Sequence, residues 1–60
     1  MIKVGQKVHI RNGEDYEKGV VKYVHPTNRW FSVEHGTDEY KWLTSFKYDD
    51  IDRKIIIVKG

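Results

Sequence analysis

Residues 19–35 read GVVKYVHPTNRWFSVEH, and this stretch decides the fold. Two runs rich in β-branched and aromatic residues, Val20–Val24 and Trp30–Val33, flank Pro26-Thr27-Asn28, which holds the chain's single proline. Such runs on either side of a short polar turn predict a β-hairpin. In the third strand, Trp30–His35, the alternation sends Phe31 and Val33 to a core and Trp30, Ser32 and Glu34 to the other side. In the second, Val20–His25, parity is ambiguous, because Val20, Lys22 and Val24 share one side and Val21 and Tyr23 the other. Apolar residues on both sides fit a central strand, or a bulge that changes facing midway.

Outward from this hairpin the signals remain those of short strands. Lys7-Val8-His9-Ile10-Arg11 alternates with period two, Val8 and Ile10 inward, between the turn residues Gly5 and Asn12-Gly13. Gly13–Lys18 is polar and reads as a loop with Tyr16 folded back. Gly36-Thr37-Asp38 reads as a turn before a strand over 40–46. A hairpin centred on Thr37 opposes Glu34 to Tyr40, Ser32 to Trp42 and Trp30 to Thr44. That register gathers Trp30, Tyr40 and Trp42 on one outward face and pairs Phe31 with Leu43 inward. A one-residue slip reverses it for one strand. Phe46–Ile51, with Asp49 and Asp50, suits a tight turn or one turn of 3₁₀ helix. Ile55–Val58, between Lys54 and Lys59, is a last strand whose open edge would invite aggregation unless it closed against the first. The expectation is one all-β domain over residues 1–60, a five-stranded small barrel with a short 3₁₀ turn before the last strand.

Sixty residues bury little core, and no cysteine supplies a disulfide or thiolate ligand. That fits a reducing compartment. The amino-terminal MIKVGQKV lacks a signal peptide's apolar segment, and no run reaches membrane-spanning length. A soluble, cytoplasmic protein with no membrane partner is expected. The formal charge is +2 at pH 7. Lys3, Lys7, Arg11, Lys18, Lys22 and Arg29 outnumber three acids in residues 1–30, while residues 31–60 are slightly acidic. The basic half suits a phosphate backbone or an ordinary solvated surface.

The stretch GQKVHIRNGEDYEKGVVKYV, Gly5–Val24, resembles the KOW motif of SH3-like (KOW/Tudor-like) barrels through Val8, Ile10, Gly13, Gly19, Val21 and Val24. LTSFKYDDI, from Leu43, is similar to the closing segment of such barrels. The chain also resembles small stand-alone SH3-like proteins encoded by phages and prophages. The resemblance implies a barrel whose relatives contact RNA or protein. Glu14, Asp15 and Glu17 depart from a phosphate-cradling loop, and an ALYDY-like stretch for proline-rich ligands is absent.

Eight aromatics are more than so small a core holds. Trp30, Tyr40 and Trp42, with Tyr23 beside them, form the candidate ligand-binding face: exposed aromatics stack bases or anchor a protein partner, or else cap the barrel ends. Lys22, Arg29 and Lys41 are the candidate phosphate contacts. His9, His25 and His35 lack zinc-site spacing. Asp49, Asp50 and Asp52 read as a turn cluster rather than a catalytic pair, and Ser32 and Ser45 lie in no nucleophile context. The expected function is therefore non-enzymatic, without metal or cofactor: weak binding of RNA or single-stranded DNA through the aromatic–basic face. The alternative is a protein-interaction module, for instance a phage-type modulator of a host factor, using the same face. A monomer or a weak homodimer, formed through the aromatic face or the Ile55–Val58 edge, fits either.

Overall fold

A computed structural model describes residues 2–27 and 29–58; Asn28 of the expected turn and Lys59 beside the last strand lie outside the described residues. Five antiparallel strands form one sheet: β1 (Lys7–Asn12), β2 (Asp15–Val24), β3 (Trp30–Gly36), β4 (Lys41–Lys47) and β5 (Ile55–Ile57), with a 3₁₀ turn at Tyr48–Asp50. Their order is β4-β3-β2-β1-β5, a four-stranded meander to which the last strand is added beside the first. The sheet is not closed, since β4 and β5 stand at its two ends. No helix among the described residues is long and apolar enough to cross a membrane.

The core lies on one side of this sheet. Val8, Ile10, Val21, Phe31, Val33, Phe46 and Ile55 are buried there, together with Ile2 from the segment ahead of β1. Phe31 packs at 6.1 Å from the Phe46 ring and receives Tyr48 edge-on at 5.7 Å. Each such fully buried side chain contributes about 1.5–3 kcal/mol. The segment carrying Ile2 is tied down where the Gly5 N–H donates to the Val21 carbonyl and the Val21 N–H to that of Gln6.

The expected hairpin forms as β2–β3, and its ambiguous parity is resolved by a bulge. Val21 opposes Val33 and Tyr23 opposes Ser32, so Lys22 is the extra residue. Val21 and Val24 thus both reach the core side, while Val20 and Tyr23 share the outward side.

Two expectations are corrected. Residues 13–18 are not a loop: β2 begins at Asp15, Asn12 opposes Asp15, and Gly13 takes φ +65° in a two-residue turn. This end of the hairpin projects past the core, so both of its sides are wet and no apolar alternation marks it. Tyr16 accordingly does not fold back but stands half-exposed beside the His9 ring, 6.1 Å away.

The second correction concerns β3–β4. Its register opposes Phe31 to Phe46, Ser32 to Ser45, Glu34 to Leu43 and His35 to Trp42, three positions from the Thr37-centred pairing. The loop is Asp38-Glu39, closed by a bond from the Thr37 N–H to the Tyr40 carbonyl (2.8 Å) and by the Tyr40 N–H on Thr37 Oγ1 (3.1 Å). Gly36, at φ +125°, stays inside the strand, so the chain turns later than its glycine suggests. A shift by an odd number flips β4. Leu43 faces solvent, and Trp42 joins the core side with Thr44 and Phe46.

Candidate nucleic-acid interface

Strand alternation now sorts the charges. The outward side of β1–β4 carries Lys7, Arg11, Lys18, Lys41 and Lys47, with Glu34 as its one strand acid. The other acids lie elsewhere: Glu14, Asp38 and Glu39 in turns, Asp15 and Glu17 at positions that alternate to the core side, and Asp49, Asp50 and Asp52 around the 3₁₀ turn. A net charge of +2 therefore conceals a strongly cationic face.

At one end of that face the Tyr23 and Trp30 rings lie 5.1 Å apart at 40°, and His25 lies 5.4 Å from Trp30. The bulge builds this pair, because without the extra residue Tyr23 would point to the core side. His25 is fixed in turn by Thr27, whose N–H and Oγ1 lie 3.1 and 2.8 Å from its Nδ1. Beside the pair, Ser32 and Ser45 share a hydrogen bond of 3.0 Å across β3 and β4.

Two depressions open on this side. One, of about 410 Å³, is lined by Lys7, His9, Lys18, Val20, Glu34, His35, Gly36 and Lys41 among others. Gly36 has two reasons to be glycine. Its φ is positive, and a methyl group there would collide with the Tyr40 carbonyl. The second depression, of about 730 Å³, adjoins Trp30 and is bordered by Arg29, Lys47, Lys54 and Asp50. Asp50 accepts the Lys47 N–H at 3.1 Å and stands 4.0 Å from the Lys54 ammonium.

Trp30 and Tyr23 are thus brought together as expected. Arg29 lies beside Trp30, Lys41 lines the first depression, and Lys22 stands exposed at the bulge. Tyr40 and Trp42 do not join them. With the register corrected, Trp42 lies on the opposite side of the sheet, edge-on to His35 at 5.1 Å, and Tyr40 leads into β4 at the turn. Lys7 and Lys18 were missed as individual contacts. Lys18 is recoverable from the alternation Tyr16, Lys18, Val20 once β2 is extended to Asp15.

A second unforeseen feature is the nearly buried His35. Its Nδ1 lies 2.9 Å from Glu17 Oε1 and its Nε2 2.6 Å from Thr44 Oγ1, linking β2, β3 and β4. Gly19 makes room for this packing, since a side chain there would collide with Val33. His35 also borders the first depression, but both of its ring nitrogens are engaged, and the chain of bonds acts as a cross-strand tie. Among the described residues, His, Asp and Glu nowhere group in threes to hold a metal ion. No family model matches the chain, nor does any curated protein or solved structure.

Proposed function

We propose that this protein is a small, non-enzymatic binding module of the SH3-like barrel type that takes single-stranded nucleic acid, RNA or DNA, on the outward side of its sheet. One observation carries the reading: a tilted Tyr23–Trp30 ring pair and five strand cations, with Glu34 as the one strand acid, share one face. Base–aromatic stacking supplies about 1–3 kcal/mol per base and tolerates any sequence. Lys22 and Arg29 stand near the aromatic pair to take phosphate, and Lys7, Lys18 and Lys41 do so at the far depression. From Trp30 to Gly36 the face runs roughly 20 Å at about 3.3 Å per strand residue, room for a handful of nucleotides. Support for the barrel type comes from the Gly5–Val24 resemblance, from the addition of the last strand beside the first and from the 3₁₀ turn before it.

Titration with short mixed-sequence RNA and DNA at low salt tests the reading, with Trp30 fluorescence as reporter in a Trp42→Phe chain. Quenching is expected, with log K falling against log salt at a slope of about −2 if three phosphates are contacted. Absence of any response at low salt overturns it. Binding to a protein partner with little salt dependence would favour the interaction-module reading, for which exposed Leu43 and half-buried Val20 on the same face are the relevant surface.

A further inference from the structure

The two edges of the sheet differ. At β5 the Asp52 N–H donates to the Ile55 carbonyl (2.8 Å) and Ile51 bridges Ile55, so the outer side of that short strand is covered at Ile55. Among the described residues, β4 pairs with β3 alone. The Thr37 to Tyr40 bond sets its phase. Hydrogen-bonded pairs recur at every second residue of an antiparallel ladder. Trp42, Thr44 and Phe46 therefore direct their backbone groups to β3, and Lys41, Leu43, Ser45 and Lys47 direct theirs to the open edge. Along this edge Leu43 is 60% exposed and Trp42 52%, with Tyr40 at 71% just ahead. A strand edge of this length with apolar side chains beside it is a template for another strand.

We infer that β4 pairs antiparallel with β4 of a second copy of this chain, about a two-fold axis at Leu43. The register follows from the side chains. Pairing within a continuous sheet keeps each residue on its own side, so opposed positions have equal parity. An axis at Thr44 opposes Lys41 to Lys47 twice, like charge against like. An axis at Trp42 sets Phe46 against Asp38 and Leu43 against Lys41. An axis at Leu43 opposes Leu43 to its own copy, Tyr40 to Phe46, Trp42 to Thr44, Lys41 to Ser45 and Glu39 to Lys47. In that arrangement apolar groups meet apolar or neutral ones, and Glu39 of each copy meets Lys47 of the other. It also uses the free backbone, because Leu43, Lys41 and Ser45 are the residues whose N–H and C=O point outward. One strand pair covers less surface than a standard stable interface, so the dimer is weak and concentration-dependent. It joins the outward sides of two sheets into one face, and it stands whether or not that face binds nucleic acid.

Sedimentation equilibrium over a range of concentrations tests it, with far-UV circular dichroism confirming that each variant is folded. The wild-type chain dimerises; Glu39→Lys and Lys47→Glu each weaken the dimer about tenfold through two symmetric like-charge contacts, and the double variant regains it. Because the chain lacks cysteine, cross-linking checks the register. Directly opposed, hydrogen-bonded Cα atoms lie about 5.5 Å apart, within disulfide reach. Leu43→Cys therefore oxidises to a covalent dimer, whereas Lys41→Cys, displaced by about 13 Å along the strand pair, does not. A monomer at every concentration, a dimer indifferent to both charge reversals, or cross-linking of both variants at equal rates overturns the inference.

Discussion

Trp30 and Trp42 belong to the same hairpin and face opposite sides of the sheet. Trp30 packs against Tyr23 and His25, surrounded by cations, with Ser32 and Ser45 beside it. Trp42 stands over His35, whose ring nitrogens are both taken by Glu17 and Thr44. One tryptophan thus belongs to a surface suited to a ligand, and the other shields a polar tie that holds three strands in register. Residue type did not separate them. Parity did, and parity was set by where the loop falls between them.

The largest effect that separates the two sides is on stability. Phe31→Ala on the core side removes a buried ring packed on Phe46 and Tyr48 and costs about 3–5 kcal/mol. In a 60-residue domain this abolishes a cooperative thermal transition, whereas Trp30→Ala leaves the transition in place. Next, His35→Phe keeps an aromatic ring, slightly larger, but deprives Glu17 and Thr44 of their partner. A loss of about 1–3 kcal/mol in urea unfolding is expected, together with a changed Trp42 emission. A midpoint unchanged from wild type would show that the tie contributes nothing. The sharpest contrast is between the tryptophans in binding. Trp30→Ala weakens oligonucleotide affinity roughly 5- to 150-fold, the equivalent of about 1–3 kcal/mol for one stacked base, and Trp42→Ala leaves it unchanged. Equal losses would mean that the two sides do not divide the work as the register implies.

The β2–β3 hairpin was legible because both of its strands press on the core. Phe31 and Val33 carry a clean alternation in β3, and the ambiguous parity of Val20–Val24 left room for the bulge that the structure places at Lys22. The 3₁₀ turn at Tyr48–Asp50 was legible from local composition, and the pairing of the Ile55–Ile57 strand with β1 from the hazard of leaving so apolar an edge open. The β3–β4 register was not. β4 alternates Trp42, Thr44, Phe46 against Leu43, Ser45, and an aromatic or aliphatic residue on each side leaves two facings equally plausible. Gly36 pointed to a turn there, but the Thr37 side chain closes the loop later. Half of the aromatic face, Tyr23 and Trp30, therefore came together as read, and the other half, Tyr40 and Trp42, did not.

By itself the sequence determined an all-β domain of five short strands, the inward facing of Val8, Ile10, Phe31 and Val33, and the absence of thiol chemistry. These follow from properties local to each strand: alternation, β-branched content and turn residues. Only the tertiary structure decided which side of the sheet each cation and aromatic occupies, that His35 is held by Glu17 and Thr44, and that among the described residues β4 pairs on one edge only. Those depend on register between strands, and register is fixed by the sum of weak cross-strand contacts and one loop geometry rather than by any single strand's pattern.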